Sequence, residues 1–277
     1  MSALSPAAKP DLTAPKPDLT APKPDLTALR ESLRGLEGRR AKAVLPFGVE
    51  AIDRHLPDGG LARGAVHEVT GTADGAVDGA AAALFCAGIA ARSQGHVLWC
   101  VTEHDLFAPA LAQAGLTPDR VVFAETRDET ALLATFEEAL RHGALSAVVA
   151  ETGKLSMLAS RRLQLAAEAG GALGLLIRRW KRAAYAAEFD QPSAAQTRWR
   201  VHSLPSAPLP VEGVGPARWQ LDLLRIKGGQ PARFEVEACN GQGYLKEKGC
   251  LKEAGLAGPA TLAHRPAAQV HERRRRA

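Results

Sequence analysis

The 277 residues suffice for one α/β domain of moderate size plus tails, and a hydrophobic fraction of 46% is ordinary for a globular protein. No apolar run reaches the length of a membrane span, and the Lys-, Pro- and Asp-bearing start has no apolar signal core. The four cysteines (Cys86, Cys100, Cys239, Cys250) lack CxxC spacing, so a cytoplasmic chain with no zinc site is expected. The net charge of +5 hides an acidic body: residues 43–177 hold 9 basic and 16 acidic side chains, residues 178–200 hold 6 and 2, and residues 265–277 hold 5 and 1. Such a layout suits local contacts with acidic partners or phosphates and excludes a uniformly basic DNA-coating protein.

In chain order, a seven-residue unit begins at Lys9 and repeats at Lys16 and Lys23. Its two prolines exclude a coiled coil and predict an extended linker. Leu29, Leu33 and Leu36 share one face of a short helix predicted within residues 28–42. From residue 43 to 245, strands and helices alternate. Strands are predicted at 66–69, 97–101, 121–123, 145–150 and 173–177, with helices at about 78–92, 106–115, 130–142 and 157–169 between them. The alternation predicts an α/β fold with a mostly parallel twisted sheet flanked by helices. Beyond residue 198 the strands 199–204, 219–226 and 234–238 follow, the last two forming an antiparallel hairpin around Lys227-Gly228-Gly229-Gln230. Residues 246–277 lose periodicity and end in Arg273–Arg276, a predicted basic tail.

A P-loop would follow the first core strand as G-x-x-x-x-G-K-[ST], its backbone N–H groups cradling phosphate at a helix N-terminus. Here the stretch is Gly71-Thr72-Ala73-Asp74-Gly75-Ala76-Val77-Asp78-Gly79. The glycines permit the turn, but Val77 and Asp78 hold the lysine and hydroxyl positions. No lysine occurs between Lys42 and Lys154, so no shift of register restores the motif. Asp74 and Asp78 add negative charge where a triphosphate would sit, costing on the order of several kcal/mol at about 6 Å and an effective dielectric of about 20. The stretch reads as a vestigial strand-to-helix turn, and neither a catalytic residue, a metal nor a cofactor is expected.

The order of motifs resembles a RecA-type core. Residues 47–71 are similar to its entry helix, glycine turn and first strand. Glu103, after the second strand, takes the place of the glutamate that orients the attacking water. Glu151 ends a strand similar to Walker B, where Asp is usual. Arg225 and Lys227 fall near the late hairpin's interface lysines. The run Ser160-Arg161-Arg162-Leu163-Gln164-Leu165 and the later Gly174-Leu175-Leu176-Ile177-Arg178-Arg179 resemble the ImuA family most. That resemblance covers about residues 44–245. It implies an accessory role in SOS-induced translesion mutagenesis beside ImuB, a Y-family polymerase-like protein, and an error-prone replicative-type polymerase. RecA and single-stranded DNA are further implied contacts, with nucleoid association when DNA is damaged.

Three function classes follow: a non-catalytic adaptor, an unusual nucleotide-dependent DNA-binding ATPase, and a damage-induced inhibitor of cell division. The missing lysine favours the first. Glu103 has a plain alternative as a helix cap or loop residue, and Glu151 one as a structural partner of an arginine such as Arg161. The candidate partner- or DNA-binding surface is Arg178, Arg179, Trp180, Lys181 and Arg182, with Arg225 and Lys227. Interleaved Arg and aromatic residues suit single-stranded nucleic acid or an acidic protein surface. A solvated loop with Trp180 folded inward is the third reading.

Overall fold

The computed structural model describes residues 43–72, 76–179, 189, 191–206 and 213–247. The N-terminal repeat, the helix expected in residues 28–42 and the basic tail from 248 onward lie outside the described residues.

The chain enters through β1 (Val44–Leu45), the short helix α1 (Glu50–Asp53) and β2 (Leu61–Ala62), with β1 and β2 pairing antiparallel. Asp53 fixes this entry by accepting from the N–H groups of Phe47 at 2.7 Å and Gly48 at 2.9 Å. Then come β3 (Ala65–Thr70), α2 (Ala76–Arg92), β4 (Val97–Val101), α3 (Ala108–Gln113), β5 (Val121–Glu125), α4 (Glu129–His142), β6 (Ala147–Thr152), α5 (Met157–Gly170) and β7 (Leu173–Arg178). The chain closes with β8 (Thr197–Leu204), β9 (Arg218–Ile226), β10 (Ala232–Glu237) and β11 (Lys246–Glu247).

One sheet of nine strands runs in the order β11-β10-β9-β8-β3-β7-β6-β4-β5. From β8 to β5 every neighbour pair is parallel, and β8 to β11 pair antiparallel. The α/β reading and the late hairpin therefore hold. Lys246–Glu247, expected to open the tail, instead form β11 on the edge of β10. Two paired residues carry no periodicity that a sequence could display.

Strands β3, β6 and β7 are buried along their whole length because helices cover both faces. On one face α2 packs its alanines, Phe85, Cys86 and Ile89 against Phe47, Trp99, Trp199 and Trp219. Phe47 stacks on Phe85 at 5.7 Å, and Trp199 tilts against both. On the other face α4 and α5 bury Leu132, Phe136, Leu140, Leu163 and Ala167 against Val66, Val148 and Leu176. Asp128 and Ser156 start these two helices by accepting from the N–H groups of Ala131 and Ala159. Cys86 and Cys100 are buried free thiols and Cys239 is partly buried. Burial pushes Cys100 and Cys239 up to about 12, so both remain protonated near neutral pH. Among the described residues no helix is long and apolar enough to cross a membrane.

Candidate functional site

The strand ends of β3, β4, β6 and β7 gather at the edge where open parallel sheets place ligands. The P-loop equivalent leaves β3 at Gly71. A Cβ there would lie 2.5 Å from the carbonyl carbon of Asp78, so only glycine lets the turn press on the start of α2. Gly75 lies outside the described residues. Val77 points outward and is 68% exposed, and Gly79 sits in the first turns of α2. Asp78, at the position of the metal-binding hydroxyl, is turned inward. Its carboxylate accepts from the Thr72 hydroxyl and from the backbone N–H of Ser203 at 2.7 Å, tying the turn to the end of β8.

Glu151, next to last in β6, is buried. It accepts from the Trp99 indole N–H at 2.8 Å and from Arg179 Nη1 at 2.6 Å. Arg179 also forks onto Asp105, at 2.9 and 2.6 Å. Those bonds hold Asp105 below its ordinary carboxylate value and raise Arg179, with Asp105 the largest cause. The expected structural partner of Glu151 is thus Arg179, not Arg161. Arg161 stands exposed on α5, whereas Arg179 leaves β7, the neighbour of β6. Glu103 lies exposed in the loop after β4. His104 beside it stands 3.4 Å from Glu125, also at the surface.

A second cluster lies beneath the first. Glu68 of β3 is fully buried and faces Arg178 at 3.4 Å and Arg198 at 3.4 Å. Arg178 also donates to the Gly153 carbonyl at 2.9 Å. Phe189 packs against both guanidiniums, its ring centre 4.2 Å from Arg198 and 5.9 Å from Arg178. Burial and these partners remove Arg178 from the expected partner-facing surface. Trp180, Lys181 and Arg182 lie outside the described residues. Arg225 and Lys227 sit exposed at the hairpin, where the Arg225 guanidinium donates to Ser193 O at 2.8 Å and the Lys227 N–H to Gln196 O at 3.0 Å. They hold the approach to β8.

Sequence reasoning passed over Glu68 and Asp105, and of its two readings of Arg198, a basic surface or the opening of a strand, the structure shows the second. One signal was present: a glutamate between Val66 and Val69 in a strand this apolar requires a buried cationic partner.

Over 208 residues the chain is 38% identical to Protein ImuA of Caulobacter vibrioides, in two strains, spanning 72% of this chain and 85% of that protein. The chain belongs to the ImuA family. No family model matches it. Among solved structures, the crystal structure of the RadB recombinase superposes with a TM-score of 0.53 at 15% identity, covering 74% of this chain and all of that one. At that identity the likeness concerns the fold alone, and the fold is RecA-like. At the strand-end edge of this ImuA-family chain, Asp78 and Glu151 are both engaged by the chain's own donors.

Proposed function

We propose that this ImuA-family chain is a non-catalytic RecA-like adaptor in damage-induced translesion synthesis and mutagenesis. It binds a partner of the ImuB kind, with an error-prone replicative-type polymerase, RecA and single-stranded DNA as further contacts. The observation that carries this reading is the engagement of the carboxylates at the motif positions of the P-loop hydroxyl and the Walker B acid. Asp78 is bonded to Thr72 and Ser203, and Glu151 to Trp99 and Arg179. No lysine stands in this region to neutralise a triphosphate. The exposed and partly exposed cations Arg179, Arg225 and Lys227 remain the residues through which partner or nucleic acid is met.

Equilibrium binding of labelled ATP, with and without Mg²⁺, run beside a pull-down with ImuB tests the proposal. The expected result is retention of ImuB with no saturable ATP binding. Saturable, Mg²⁺-dependent binding in the micromolar range would overturn the adaptor reading in favour of an ATPase.

A further inference from the structure

Helix α5 buries Ser160, Leu163, Gln164, Ala166 and Ala167 against the sheet and α4. Its opposite face should be polar throughout. Instead Leu158 is 71% exposed and Leu165 is 64% exposed. They lie seven residues apart, one above the other on the outer face, at a spacing of about 10.5 Å by helix geometry. The two positions between them on that face are Arg161 and Arg162, both exposed. A single exposed leucine needs no explanation, but a leucine–arginine–arginine–leucine stripe on one solvent face is a pattern.

The stripe borders a groove of about 420 Å³ between α4 and α5, whose walls include Leu133, Ala134, Glu137, Ala159, Arg162 and Leu163. Glu137 holds Arg162 at 2.6 Å and Arg141 at 2.9 Å, fixing the groove's basic rim. Arg162 stays 63% exposed in that pair, and Arg161 makes no ion pair among the described residues. The surrounding body, residues 43–177, is net acidic, so this stripe is a basic island within it.

We infer that the outer face of α5 is a docking face for an acidic amphipathic helix of a partner protein. The apolar residues of that helix, spaced two turns apart, cover Leu158 and Leu165, and its carboxylates between them meet Arg161 and Arg162. Charge sets the choice of partner: a basic or neutral helix would cover Arg161 with no carboxylate to meet it and leave Arg162 only its share of Glu137. The face uses none of the residues of the strand-end cluster, and the inference holds whether or not nucleotide binds.

The test uses the full chain and a fluorescein-labelled helical peptide of about fourteen residues, with two leucines seven apart and glutamates between them. Anisotropy is expected to rise and saturate with the acidic peptide and to stay flat when its glutamates are replaced by lysines. Binding is expected to weaken by about tenfold or more in Arg161→Glu/Arg162→Glu and in Leu158→Gln/Leu165→Gln. Circular dichroism of both variants should match the parent, because these side chains face solvent. Equal binding of the two peptides, no binding of the acidic one, or binding untouched by the variants would overturn the inference. So would a dimer in sedimentation velocity that the leucine variant dissolves, since the occupant would then be a second copy of the chain.

Discussion

Arg178 and Arg179 are neighbours in the chain and opposites in the fold. Arg178 ends β7 with its side chain 2% exposed, facing Glu68 in the interior. Arg179, one step on, is 40% exposed and spans Asp105 and Glu151 at the rim. Successive residues of an extended chain point to opposite faces, so a run of basic residues divides between two environments. The charge of a segment is therefore not the charge of a surface. The interior arginine belongs to the fold, and only the rim arginine is placed to meet a partner.

Substitutions separate the two environments, and Arg178→Ala should have the largest effect. It leaves buried Glu68 with Arg198 alone of its two guanidiniums, at a cost of about 3 kcal/mol, the low end for breaking a buried pair. Urea denaturation should show a large fall in midpoint, or soluble protein should fail to accumulate. An unchanged midpoint would mean that Arg198 alone balances Glu68.

The neighbour of Glu68 supplies the next test. His67 is fully buried, with Nε2 at 2.9 Å from Ala62 O and Nδ1 at 2.8 Å from the Thr197 hydroxyl. These partners fit a neutral ring that donates to Ala62 from Nε2 and accepts from Thr197 at Nδ1. Burial lowers its pKa to about 4 from an ordinary 6.5. The unfolded chain thus takes up the proton first as pH falls. Stability contributed by the neutral ring is full above pH 6.5 and declines between 6.5 and about 4, by roughly 3 kcal/mol in total. Thermal melts across that window should lose this component of the slope in His67→Gln.

Arg179→Ala should cost less, about 1–2 kcal/mol, because its exposed half is screened while buried Glu151 keeps the Trp99 bond. The same change should raise the pKa of Asp105, measurable by NMR titration of its carboxyl carbon. Asp78→Ala should be mildest, about 1 kcal/mol for the freed Ser203 N–H. It should leave ATP binding absent, since the lysine is still missing. Gain of ATP binding in Asp78→Ala would mean that this one carboxylate was the obstacle.

Much of the fold was legible from residue order. Strand 97–101 matches β4 to the residue, and the helices at 130–142 and 157–169 match α4 and α5 within one residue, because their apolar positions recur at helical spacing. The hairpin around Gly228 was legible from the glycine pair between two apolar runs. The partners of the arginines were not. Glu68 is 110 residues before Arg178, and Asp105 is 74 before Arg179, separations that no local pattern encodes. The family was legible from motif order, while the inward turn of Asp78 required the position of Ser203, 125 residues away.

The polar residues of β3 meet β8 in a fixed sequence: His67 opposite Thr197 and Glu68 opposite Arg198. A slip of one residue would place a guanidinium against the neutral imidazole and the Trp199 indole against the glutamate. Each mismatch would leave a buried polar group without its complement. Among the described residues, this seam attaches β8, which carries the antiparallel β9, β10 and β11, to the other parallel strands. The four side chains act as a two-letter key that seats the second half of the sheet in one alignment, a task that Val and Ile, interchangeable at every step, could not perform.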